Sequence, residues 1–113
     1  MKITFIFLST VMLAQTTFAM SNRELTAKVA SDKTFVNSAE NDIKNIFRKP
    51  KDVLINFKSV AVQDKGSHFV ARFTYAVTVE GTTYGTCPFD FEGVAQADST
   101  IKYNGLVHYD CGE

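Results

Sequence analysis

From His68 to Glu80 apolar and polar residues alternate. Phe69, Ala71, Phe73, Tyr75, Val77 and Val79 take every second position, and Val70, Arg72, Thr74, Ala76 and Thr78 fill the gaps. A period of two gives a strand one apolar and one mostly polar face, and Val, Thr, Phe and Tyr suit a pleated surface. The same period recurs on both sides. Asp52 to Gln63 carries Val53, Ile55, Phe57 and Ala61 in alternation, with Val60 and Val62 out of phase, which predicts a bulge near Ser59. Thr82 to Ala95 holds Cys87, Phe89 and Phe91 in one phase, and Thr100 to Cys111 holds Ile101, Tyr103, Val107 and Tyr109. Asp64-Lys65-Gly66-Ser67, Gly81 and Asp98-Ser99 supply turns between these runs. Four strands joined by short turns predict an antiparallel meander.

Upstream, the spacing changes to that of a helix. Leu25, Val29, Val36, Ala39, Ile43, Ile46 and Phe47 form a stripe at close to 3.6-residue spacing. Ser21-Asn22-Arg23-Glu24 has the form of a capping box. Asp32 interrupts the stripe, and Ser31 to Ser38 is rich in residues that favour caps and turns. The pattern predicts a helix from Ser38 to Lys49, preceded by a helical segment from Asn22 to Ser31 that is either separate or continuous with it. Pro50 marks the end, because the residue before a proline disfavours helical backbone. A helix over 38–49 would be about 18 Å long, close to the ~15–20 Å width of a four-stranded sheet. The fold class that follows is α+β: an N-terminal helix packed on a four-stranded antiparallel β-meander.

The two cysteines, Cys87 and Cys111, change this picture by fixing a register. An even number of cysteines in a small exported chain predicts a disulfide, here closing a loop of about 25 residues. If Cys87 faces Cys111, Phe89 faces Tyr109 and Phe91 faces Val107. If Gly81 closes a three-residue loop, Phe73 faces Phe89 and Tyr75 faces Cys87, so the apolar faces coincide. A two-residue Glu80-Gly81 turn would put Phe89 and Phe91 on the opposite face from Phe73. Pro88 has no ladder donor, which predicts a bulge or frayed pairing there.

The first residues read as a secretory signal peptide. Lys2 precedes an apolar run from Ile3 to Ala14, and Thr17-Phe18-Ala19 offers small residues at the cleavage positions. Ser9, Thr10 and Gln15 break the run, which makes it short for a membrane anchor. Residues 1–19 are therefore assigned to the signal and 20–113 to a single α+β domain, periplasmic or extracellular, with no stable membrane insertion after cleavage. The 12 basic and 12 acidic residues balance, and loss of Lys2 leaves a net charge of −1. Such a chain has no excess positive charge to attract nucleic acid.

Candidate chemistry is sparse. No nucleophile elbow, P-loop, dinucleotide fingerprint or H-E-x-x-H occurs, and no cofactor is expected. The register above lines up Arg72, Asp90 and His108 across the outer face, with Asp110 on the same face as His108. A carboxylate between a cation and an imidazole could hold His108 in one tautomer and raise its pKa, as in an acid/base or weak metal site. The same row is also what a solvated cross-strand charge ladder looks like, and a flat sheet face offers no cavity. Tyr84 falls in the outer phase and could join Thr82, Thr86, Val70 and Leu106 in a partner-binding patch. His68 reads as a surface residue, and Arg48-Lys49-Pro50-Lys51 as a basic cluster complementing a helix C-terminus.

Asp42 to Val62, DIKNIFRKPKDVLINFKSVAV, resembles small exported bacterial domains of unknown function in which a helix ends in a Lys-x-Pro stretch before an alternating strand. The chain has Lys51-Asp52-Val53 where those domains carry a Ser or Ala a few residues after the Pro. The helix-then-meander layout is similar to cystatin-like folds, but no Q-x-V-x-G loop is present, since Gln63-Asp64-Lys65-Gly66 occupies the first hairpin. The resulting expectation is a non-enzymatic protein-binding domain of inhibitor, immunity or envelope-accessory type. The candidate binding residues are Arg72, Tyr84, Asp90 and His108. The alternatives are an enzyme using His108 and Asp90, and a structural subunit that assembles through a sheet edge.

Overall fold

The computed structural model describes residues 20–47 and 50–111. The predicted signal peptide and the Arg48-Lys49 part of the basic cluster lie outside the described residues. Helix α1 spans Asn22–Ser31 and opens on the predicted capping box: the Glu24 N–H donates to Ser21 Oγ at 3.1 Å, and the Ser21 N–H donates to the Glu24 carboxylate at 2.9 Å. Helix α2 spans Lys33–Ile46, so it starts at Lys33 and not at Ser38, and stops before Lys49. The reason lies in Asp32. Its backbone is extended (φ −88°, ψ 102°), its N–H donates to the Val29 carbonyl, and its carboxylate accepts the Phe35 N–H at 2.9 Å. Asp32 thus closes one helix and N-caps the next. The polar run after it is the first turn of α2, not a loop. The break also resets the helical phase. Phe35, Ala39 and Ile43 are the buried positions of α2, while Val36, Ile46 and Phe47 are half-buried around them.

A 3-10 turn at Pro50–Asp52 leads into the sheet. Strands β1 (Val53–Asp64), β2 (Phe69–Val79), β3 (Thr82–Ala95) and β4 (Ile101–Tyr109) pair antiparallel in the order β1-β2-β3-β4. The expected α+β meander is the fold, with two helices rather than one on its inner face. α1 lies against β1 and α2 against β4. Among the described residues no helix is long and apolar enough to cross a membrane.

Each irregularity in the sheet moves side chains between faces. In β1 the register shifts between Phe57 and Ser59, leaving Lys58 as the extra residue. The inward phase passes from Val53 and Ile55 to Val60 and Val62, and Ala61 turns out. Between β2 and β3, Phe73 faces Phe89 and Tyr75 faces Cys87, as predicted. The turn differs from the predicted three-residue loop. Val79 faces Thr82, so Glu80-Gly81 is a two-residue turn with both residues at positive φ (52° and 83°). A bulge at Tyr84, followed by Gly85 at φ 85°, then adds one residue and returns Phe89 and Phe91 to the inner face. Between β3 and β4, Phe89 faces Tyr109, but Phe91 faces Leu106 and not Val107. Val107 is an extra residue turned outward, 55% exposed, and Leu106 packs on the core in its place. Pro88 carries no bulge. It sits opposite Thr74 in an unshifted stretch, and its carbonyl accepts the Asp110 N–H at 3.1 Å. A strand residue's N–H and C=O point to the same neighbour. Pro88 therefore lacks a bond only toward the chain end, and β4 stops at Tyr109.

The predicted disulfide joins Cys87 to Cys111, with the Cα atoms 4.9 Å apart. Phe69, Phe73, Tyr75, Phe89 and Phe91 form the sheet side of the core. Two sheet phenols reach up to carboxylates on α2. Tyr75 donates to Glu40 at 2.9 Å, and Tyr103 donates to Asp42. Burial, then the hydrogen bond to the carboxylate, pushes both phenols above the ordinary tyrosine range. Both therefore remain protonated donors that tie helix to sheet.

Gly93 lets the helix come this close. A Cβ there would lie 2.4 Å from Phe69 Cζ and 2.9 Å from Phe35 Cε2. Gly93→Ala is expected to destabilise the fold by about 1–3 kcal/mol through overpacking, seen as a lower urea midpoint. An unchanged midpoint would show that the two rings can give way.

Candidate functional site

The outer face, opposite the helices, presents an ordered polar cluster among the described residues. Arg72 on β2 lies directly across from Asp90 on β3, and Asp90 lies directly across from His108 on β4. Both alignments survive because the β4 bulges begin just beyond the Asp90–His108 pair. Arg72 grips Asp90 with a two-point fork, Nε to Oδ1 at 2.8 Å and Nη2 to Oδ2 at 3.0 Å. The Asp90 side chain is only 14% exposed, against 57% for Arg72 and 65% for His108. The predicted row is therefore present as a row.

Its chemistry is narrower than the acid/base reading required. His108 Nδ1 stands 3.8 Å from Asp90 Oδ2, inside ion-pair range but too far for a hydrogen bond. Asp90 spends its oxygens on Arg72 and does not fix the tautomer of His108. Asp110 is exposed past the end of β4. Among the described residues no three His, Cys, Asp or Glu side chains cluster as a metal site would need.

The face is not flat. A hollow of about 660 Å³ spans all four strands, floored by Val70, Arg72, Asp90 and Val107, with Asn22 and Lys65 among its other lining residues. The right-handed twist of the sheet curves the face, and the bulge that expels Val107 supplies an apolar wall. Alternation alone could not show this hollow, because it assigns a face to each residue and says nothing of curvature.

Tyr84 is not part of the cluster. It is 40% exposed, but its bulge brings the ring against Phe47 at the end of α2, centroids 5.9 Å apart. It lies about 20 Å from Asp90 along β3 at 3.4 Å per residue. The predicted patch with Leu106 does not form either, since Leu106 packs inward. His68 is half-buried at the start of β2, with Nδ1 3.1 Å from Ser67 Oγ. Val107, like Ala61 in β1, is a surface residue that the alternation assigns to the apolar face. No protein-family model matches the chain, and neither curated proteins nor solved structures yield a significant match.

Proposed function

We propose that this chain is a small exported, non-enzymatic protein-binding domain of inhibitor, immunity or envelope-accessory type, meeting its partner through the outer sheet face. One observation carries the reading. Two helices cover the inner face, while the outer face is left open as a hollow holding an ordered Arg72–Asp90 fork beside exposed Val107. A rigid charged group next to apolar surface is what a protein interface uses for register and burial. Export is supported by the Cys87–Cys111 disulfide, which belongs to an oxidising compartment, together with the signal-like first residues. An enzyme would need Asp90 to orient His108, and Asp90 is committed to Arg72.

The test uses the purified, disulfide-bonded protein as bait in cross-linked cell-envelope extract, followed by affinities for the captured protein. Arg72→Ala and Val107→Asp are each expected to weaken binding by about ten- to a hundredfold, as central interface residues do. Tyr84→Ala, at the far end of the sheet, should leave binding unchanged. A partner indifferent to both outer-face changes would overturn this reading.

A further inference from the structure

The inner face of the sheet has a gap between its two helices. The inward residues of β1 are Val53, Ile55, Phe57, Val60 and Val62, and of these Phe57 alone is exposed, at 48%. The helix break at Asp32 accounts for it. α1 is tied to β1 beyond the Lys58 bulge, where Thr26 Oγ1 accepts the Val62 N–H and Asn22 Oδ1 accepts the Asp64 N–H. α2 lies against β4, and the angle between the helices opens over Phe57. The hollow left there is about 260 Å³, walled by Ala30 at the end of α1 and by Val36 and Glu40 on α2, with Phe57 and Phe73 at its base. A small-molecule site is usually about 300–1,000 Å³, so this hollow suits a single side chain.

Glu40 is the charged residue of the lining. Its side chain is half-buried, and Oε2 accepts the Tyr75 phenol at 2.9 Å. Among the described residues Oε1 takes no donor, and neither Lys33 nor Lys44, the cations two turns before and one turn after it on α2, forms an ion pair with it. A partly buried carboxylate with one neutral donor beside apolar surface carries an uncompensated desolvation cost. The Phe57 ring stands next to it, packed edge-on with Tyr75 at 5.8 Å and Phe73 at 6.2 Å.

We infer that this hollow is a second docking site and that its occupant is an arginine side chain of a partner protein. Charge complementarity with Glu40 selects a cation. Arginine meets both features at once, because its planar guanidinium stacks on an aromatic ring while its N–H groups reach a carboxylate. Its aliphatic stem covers the apolar walls at Ala30 and Val36. A lysine ammonium is a compact, strongly hydrated charge that gives up more water on entering an apolar hollow. The site lies on the opposite side of the sheet from the Arg72–Asp90 hollow, and it stands whether or not that outer face binds a partner.

Titration of the purified, disulfide-bonded protein with N-acetyl-arginine N-methylamide, followed by backbone amide shifts in NMR, tests this. Saturable binding in the millimolar range is expected for one side chain, with shifts centred on Ala30, Val36, Glu40 and Phe57. Glu40→Gln keeps an acceptor for Tyr75, and so the tie from helix to sheet, but removes the charge. It should weaken binding by about tenfold. Phe57→Ala should weaken it by about two- to fivefold. The citrulline amide has the same shape without the charge and should not saturate. An arginine amide that fails to saturate at tens of millimolar would overturn the inference. So would equal binding of the citrulline or lysine amide, shifts centred on Asp90 in the outer hollow, or an affinity unchanged by both substitutions.

Discussion

Replacing Cys87 and Cys111 together with alanine is expected to lower the unfolding free energy by about 3–4 kcal/mol. The figure comes from loop closure: a cross-link with a sequence separation of 24 removes about 3.5 kcal/mol of chain entropy from the unfolded state. For a domain of this size, with a total stability of about 5–15 kcal/mol, that is a large share. The urea midpoint should fall by about 2–3 M. The position of the bond adds a local effect. Cys111 lies just past the end of β4, where Pro88 cannot return a ladder bond to Asp110. The disulfide holds the chain end where the ladder does not. Without it, the last residues of β4 should fray first, and His108 and Tyr109 are among them. Amide exchange in the double-alanine variant should therefore rise most over 108–111, before the rest of the sheet opens. A midpoint within a few tenths of a molar of wild type would show that the reduced chain is already confined by other contacts.

The same end of the sheet shows what alternation can and cannot reveal. Phe69, Phe73, Tyr75, Cys87, Phe89 and Phe91 are all inward, as their phase predicts. The facing pairs Phe73–Phe89 and Phe89–Tyr109 follow from two turn and disulfide constraints. The alternation does not reveal compensating irregularities. A two-residue Glu80-Gly81 turn and a bulge at Tyr84 together reproduce the register of a three-residue loop, so the central ladder is right while the turn is different. In β4 the extra residue at Val107 has no such compensation before Phe91, so Leu106 and Val107 exchange faces. The Arg72–Asp90–His108 row was legible because it lies within the unshifted stretch. Its spacing was not, because 3.8 Å against 2.8 Å depends on side-chain rotamers and on how Arg72 competes for Asp90. The hollow beside it depends on sheet twist summed over four strands, which residue spacing does not encode.

Phe35→Ala is expected to cost about 3–5 kcal/mol, the range for a large aromatic removed from a packed core. Phe35 is 2% exposed. Its ring stacks near Phe69 at 5.9 Å and Phe73 at 6.2 Å, and meets Tyr103 edge-on at 5.0 Å. It is the helix residue through which α2 reaches three strands, and its edge lies over the space that Gly93 leaves open. A helical stripe read straight through Asp32 selects Val36 in its place. Such a reading carries the phase of α1 across a residue whose extended backbone ends that phase. The contrast between the two neighbours is the decisive measurement. Val36 is half-buried at the rim of the core, so Val36→Ala should cost about 1 kcal/mol, little more than its partial loss of buried area. Urea unfolding of both variants, followed by circular dichroism, separates the two phases. A larger cost at Val36 than at Phe35 would mean that one continuous helix, not a pair divided at Asp32, faces the sheet.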